Sequence, residues 1–183
     1  SDSYATPPIG FGLSEFENPL INSINREPYS ATSISFPTET EALQVKRSSS
    51  SRYQSLNGTW KFKFITDWDN LPSDFMKAET NDDSWDNIPV PSTWEMKHST
   101  YRKTFEVPAS WEGQNVLIHF AGVRGAFYLY VNGKKVGYNE DGGTLPAVFD
   151  MTPFLKKGKN QLAVQVKIIG EGSHTYQTLH SIF

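Results

Sequence analysis

Asn132-Gly133 limits what this chain can fold into more than any other pair of its residues. Both residue types tolerate positive φ, which a two-residue type I′ turn requires and whose twist matches the strands it joins. Before the pair, Phe127, Leu129 and Val131 alternate with Tyr128 and Tyr130. After it, Lys135-Val136-Gly137-Tyr138 alternates again, so the stretch predicts a β-hairpin. Tyrosines on the second face predict that this face is covered as well, because a tyrosine suits a surface that is apolar at one end and wet at the other. The hairpin is therefore expected inside a sandwich and not at a free edge.

The remaining sequence supports that reading. Gly58-Thr59-Trp60-Lys61-Phe62-Lys63-Phe64 places Trp60, Phe62 and Phe64 on one face and Thr59, Lys61 and Lys63 on the other, the pattern of a half-buried strand. Pro72–Met76 reads as one helical turn. Asp82-Asp83-Ser84-Trp85 reads as a turn, and Ile88-Pro89-Val90-Pro91 as an edge strand broken by prolines. Further strands are expected over residues 101–107, 115–120, 147–150 and 162–169, with the polar turn Lys156-Lys157-Gly158-Lys159-Asn160 before the last. Aromatic residues make up 14% of the chain while helical periodicity is scarce. The fold class is all-β, a two-layer antiparallel β-sandwich, with the folded domain at 51–183. Residues 1–50 contain Pro7-Pro8, Pro19, Pro28 and Pro37 and then four consecutive serines, and they read as an extended arm anchored by scattered apolar residues.

Several function classes are excluded or unsupported at this level. The net charge is −3 and no basic run exceeds two residues, so the footprint of a nucleic-acid partner is missing. No apolar stretch approaches the roughly 18 residues of a membrane span. With no cysteine, thiolate metal sites and disulfides are absent. His98, His119, His174 and His180 lack zinc-ligand spacing, and no Gly-rich phosphate loop is present, so no metal or cofactor is expected. The start at Ser1-Asp2-Ser3 fits either a leader already removed or a boundary set elsewhere, and the compartment stays open between secretion, periplasm and cytoplasm.

Catalysis by a pair of carboxylates needs the two held near each other in environments that push their pKa values apart. The dense acidic pairs here, Asp82-Asp83 and Glu140-Asp141, sit in turn-like sequence and read as solvated carboxylates, so no catalytic residue is assigned. Aromatic and polar loop residues remain. Trp60, Trp85 and Trp111 are expected to pack in the core or seal its ends. Trp68 and Trp94 lie in loop-like sequence and are the candidates for stacking on a ligand, with packing as the competing reading. Arg124, beside Gly125, is the candidate hydrogen-bond donor to such a ligand, with a solvated loop as its alternative.

A set of short segments, in order, carries a resemblance. Glu17-Asn18-Pro19 with Asn25-Arg26-Glu27-Pro28 resembles the opening of a β-galactosidase of glycoside hydrolase family 2. Leu56-Asn57-Gly58-Thr59-Trp60-Lys61-Phe62 resembles its LNG-x-W-x-F strand, and Trp85 to Met96 its W-x-x-I-x-VPS-x-W-x-M segment. Phe105-x-Val107-Pro108, Phe120-Ala121-Gly122-Val123, Val131-Asn132-Gly133 and Asn160-x-Leu162-Ala163-Val164 continue it. The resemblance covers only that family's N-terminal sugar-binding domain, which implies a jelly roll of the galactose-binding-like type. It also implies that the catalytic glutamates belong to a barrel absent here, and that the partners are a carbohydrate, bound weakly if at all, and the downstream domains of a parent hydrolase. Two departures stand out. Lys97-His98-Ser99-Thr100 replaces a long loop that in the family reaches toward the active site, and residues 170–177 replace an acidic, Trp-containing one. Ser181-Ile182-Phe183 resembles the start of a strand that continues further, so a fragment is expected. A free-standing carbohydrate-binding module and a structural interaction domain are the alternatives.

Overall fold

The computed structural model describes residues 52–65, 74–90, 98–120, 126–140 and 147–167, and the backbone alone of 23–24, 94–95, 176–177 and 181–182. Its strands in chain order are β1 (Ser23–Ile24), β2 (Gly58–Phe64), β3 (Asp86–Val90), β4 (Trp94–Glu95), β5 (Ser99–Glu106) and β6 (Leu117–Phe120). Then come β7 (Ala126–Val131), β8 (Lys134–Glu140), β9 (Ala147–Asp150), β10 (Lys159–Lys167), β11 (Tyr176–Gln177) and β12 (Ser181–Ile182). A seven-stranded sheet has the order β1-β8-β7-β10-β5-β2-β3, a three-stranded sheet the order β12-β6-β9, and β4 pairs with β11. All pairings are antiparallel. The expected all-β antiparallel sandwich is what the chain forms.

Period-two alternation sorts the side chains into two cores. Between the sheets, Trp60 and Phe62 of β2, Tyr101 and Phe105 of β5, Phe127, Leu129 and Val131 of β7, and Leu162, Val164 and Val166 of β10 meet Ile118 and Phe120 of β6 and Phe149 of β9. Phe127 sits over Phe120 at 5.0 Å and Phe149 at 5.9 Å between ring centroids. On the outer face of the large sheet, Tyr128, Tyr130, Tyr138, Ala126 and Ala163 form a second cluster with Phe75 and Met76, and Trp85 packs against it. The tyrosine face is thus covered, as its composition predicted.

The hairpin turns at Asn132 and Gly133, whose φ angles are 51° and 80°. Val131 pairs with Lys134 directly across it. Alternation after the turn is not strict, however. Leu129 faces Gly137 while Tyr130 faces Lys135, so β8 carries one extra residue, Val136, which joins the inner core. A bulge of this kind accommodates the stronger twist of a two-residue hairpin. A Cβ on Gly133 would come no closer than 3.8 Å to its neighbours, so space is not what demands glycine. The positive φ is. Gly133→Val is expected to destabilise by more than about 1 kcal/mol, because a β-branched residue resists this conformation. An unchanged midpoint in urea would contradict that.

β3, with Pro89 inside it, is the outer strand beyond β2, as expected of a proline-bearing strand. Of the segment read as a helical turn, the described residues 74–76 lie in hydrogen-bonded turns, with Lys77 N–H donating to Asp74 O at 3.0 Å and Thr80 N–H to Lys77 O at 3.3 Å. Nothing propagates it into a helix. No helix among the described residues is long and apolar enough to cross a membrane. Apart from β1, which adds to the edge of β8, the arm reading of 1–50 lies outside the described residues.

Candidate functional site at one end of the sandwich

The two ends of the sandwich are built differently. One end is closed by side-chain amides. Asn132 Nδ2 donates to Phe154 O at 2.9 Å and to Asn160 Oδ1 at 2.8 Å, and its Oδ1 accepts the Gln161 N–H at 2.9 Å. Asn160, itself buried, donates through Nδ2 to Lys156 O at 2.9 Å and Gly158 O at 3.1 Å, and accepts the Lys156 N–H at 2.9 Å. These bonds tie the hairpin turn, the 3-10 turn Thr152–Phe154 and the start of β10 into one clasp. Trp111 is buried on the 3-10 turn Ala109–Trp111 after β5. Trp60 is fully buried and its indole N–H donates to Leu56 O at 2.8 Å.

The opposite end is where the long connections leave. The register places Phe64 of β2, Ser99 of β5 and Val166 of β10 in line, followed by Phe127 and Asn139. Lys167, Ala126 and Glu140 form the last row of the large sheet, and Phe120 pairs with Ala147 at the matching end of the small one. Segments 66–73, 121–125, 141–146 and 168–175 therefore all spring from this end. Trp68 and Arg124 belong to the first two of them, and their positions lie outside the described residues. For Trp94 only the backbone is described, and it pairs with Gln177. The topology brings together the strand ends that carry two of the three sequence-selected residues.

Described polar groups at this end add detail that alternation alone did not supply. The Tyr138 hydroxyl donates to Glu140 Oε2 at 2.5 Å. Glu140 and Lys167 flank Ala126 on neighbouring strands. Of the acidic residues read as solvated, two have dedicated partners instead: Glu140 here, and Asp82, which pairs with Arg102 at 2.8 Å. The i, i+2 spacing of Tyr138 and Glu140 was a usable signal, since it puts both on one face of a strand. Among the described residues, no three His, Cys, Asp or Glu side chains are grouped to hold a metal ion.

His98 lies where β5 begins, and its carbonyl accepts the Ile65 N–H at 2.8 Å. Burial, and then the charge of Lys167, hold its imidazole below the usual 6.5. A base whose folded pKa is depressed binds fewer protons folded than unfolded just below about pH 6.5, so stability falls as pH drops through that window. His98→Gln is expected to lose less melting temperature than the parent between about pH 7.5 and 5.5. Equal losses in the two proteins would refute the coupling.

Residues 97–177 match the family model for the sugar binding domain of glycosyl hydrolases family 2. The chain belongs to that family. The chain is 36% identical over 180 residues to a β-galactosidase of Priestia megaterium, a match that covers 81% of this chain and 17% of that protein. A β-galactosidase of Vibrio vulnificus is 36% identical over 147 residues, 66% of this chain and 14% of the other. Among solved structures, the family 2 member from Bacteroides cellulosilyticus superposes with a TM-score of 0.62 at 23% identity, over 72% of this chain and 20% of that one. A Bacteroides uniformis β-glucuronidase gives 0.60 at 22%, over 71% and 17%, which supports the fold alone. The chain thus matches less than a fifth of the length of these curated relatives.

Proposed function

We propose that this chain is the non-catalytic sugar-binding domain of a longer β-galactosidase-type hydrolase, with residues 51–183 as the domain and 1–50 as its arm. The observation that carries this reading is the similarity to curated β-galactosidases over 81% of the chain and 17% of the relative. The end opposite the clasp is the working end of the proposal. Trp68, which follows β2, supplies an aromatic face and Arg124, which precedes β7, a hydrogen-bond donor, with Trp94 of β4 as a second aromatic face. In such an enzyme the domain lends contacts to a pocket whose reacting carboxylates belong to another domain, so its partners are a carbohydrate and the rest of the hydrolase.

Three assays test this. The purified chain should leave nitrophenyl β-galactoside intact, whereas the protein encoded by the full reading frame should hydrolyse it. Galactose should bind the chain no tighter than about millimolar, near −4 kcal/mol. In the full protein, Trp94→Ala or Arg124→Ala should raise KM with the fold retained. Turnover by the chain alone, lost when one Asp or Glu becomes Ala, would overturn the proposal, and micromolar binding would favour a free-standing module.

A further inference from the structure

The two outer faces of the sandwich are finished differently. Over the large sheet, Phe75 and Met76 lie on Tyr128, Tyr130 and Tyr138 and leave none of the three more than 8% exposed. The outer face of the small sheet has no such cover among the described residues. Ile118 and Phe120 of β6 and Ala147 and Phe149 of β9 are buried in the inner core, so alternation turns Leu117, His119, Val148 and Asp150 outward. The register pairs Leu117 with Asp150 and His119 with Val148, which makes Leu117 and Val148 diagonal neighbours on one surface. Neither belongs to the two buried clusters, and Leu117 is 42% exposed. A sheet face turned to water carries polar side chains, as β2 does with Thr59, Lys61 and Lys63. Here two of the four positions are apolar, and Asp150 turns its carboxylate to its own chain, accepting the Thr152 N–H at 2.9 Å.

The register of β12 points to what covers this face. β12 pairs antiparallel with β6, Ser181 opposite Phe120 and Ile182 opposite His119. Each further residue in that ladder moves one step toward the start of β6, so polypeptide that follows Phe183 in the same register passes Ile118 and then Leu117. It is thereby delivered to the border of the uncovered face. The match to the P. megaterium relative takes up 17% of that protein, which leaves ample polypeptide for further domains. We infer, on the parent-hydrolase reading proposed above, that the outer face of β6 and β9 is the docking surface for the domain that follows, met by an apolar surface centred on Leu117. A second copy of this chain is the competing occupant.

The chain has no cysteine, so Leu117→Cys supplies a single thiol on this face. Its reaction with N-ethylmaleimide, followed by peptide mass spectrometry, should be at least about tenfold slower in the protein encoded by the full reading frame than in this chain alone. Ser84→Cys, at an exposed position beside Trp85 on the large-sheet side, should react equally in both. Leu117→Asp should leave the melting temperature of the chain within about one degree of the parent and lower that of the full protein by several degrees. Equal rates for the Leu117→Cys thiol in the two proteins, or the same loss of melting temperature in both, would overturn the inference. So would a thiol in the chain alone that slows as its concentration rises about a hundredfold, which would assign the face to a second copy. Galactoside hydrolysis by the full protein is scored separately. A hydrolysing protein whose Leu117→Cys thiol stays reactive defeats the docking surface and not the parentage, and a protein that shields the thiol without hydrolysing defeats the β-galactosidase reading alone.

Discussion

Arg102→Ala should lower stability by about 3–5 kcal/mol, the largest effect of any single substitution considered for this domain. Arg102 projects from β5 onto the outer face of the large sheet and is 1% exposed. Its Nε donates to Asp82 Oδ2 at 2.8 Å, its Nη1 to Phe75 O and to Lys77 O at 2.8 Å, and its Nη2 to Thr80 O at 3.4 Å. The guanidinium also lies 5.8 Å from the centre of the Trp85 ring. One side chain thus collects three carbonyls and a carboxylate from residues 75–82, a stretch of turns with no helix or ladder of its own. Truncation leaves those acceptors unpaired and frees the segment that puts Phe75 and Met76 on the tyrosines. Phe75 meets Tyr130 edge-on at 5.4 Å, so tyrosine solvent exposure and urea midpoint should change together. Arg102→Lys is the sharper test. A compact ammonium cannot fork to four acceptors, so lysine should recover less than half of the loss. Near-parental stability in that variant would refute the account.

Asn160→Ala is expected to cost about 2–4 kcal/mol, because it strips a buried amide that makes four hydrogen bonds and orphans their partners. Two changes at Asn132 separate the clasp from the turn. Asn132→Gly keeps positive φ accessible, so its loss of about 1–3 kcal/mol measures the side-chain bonds. Asn132→Ala adds the backbone penalty of about 1 kcal/mol and should be worse. Combining Asn132→Gly with Asn160→Ala should cost clearly less than the sum, since the two side chains share a bond at 2.8 Å. Strict additivity would show that the two side chains do not act as one clasp, and equal stability for the Gly and Ala variants at 132 would show that positive φ there carries no backbone penalty.

The inner core was legible because period-two alternation needs only local sequence. Trp60-Lys61-Phe62 and the residues before Asn132 announce their faces without knowledge of their partners. Arg102 was not legible. Between Tyr101 and Lys103 it reads as an ordinary exposed position, and its partners come from an aperiodic stretch some twenty residues earlier. The bulge at Val136 escaped for a related reason: Lys135-Val136-Gly137-Tyr138 satisfies alternation on either count, and only pairing with β7 shows the extra residue. For the candidate site, the sequence supplied residue types, and the sheet order supplied the fact that the strand ends beside Trp68 and Arg124 share one end.

The central place of β10 has a consequence for how the domain is made. In the large sheet β10 joins β7 on one side to β5 on the other, so it is the seam between β1-β8-β7 and β5-β2-β3. On a ribosome the two half-sheets emerge first, each with an unpaired edge, and nothing joins them until residues 159–167 leave the exit tunnel. At about 5–20 residues per second that interval lasts on the order of seconds after the hairpin is complete. During it, the edges of β5 and β7 are exposed to any neighbouring nascent chain. Synthesis of this domain therefore has its vulnerable period late, and a chaperone that shields strand edges would act on it then.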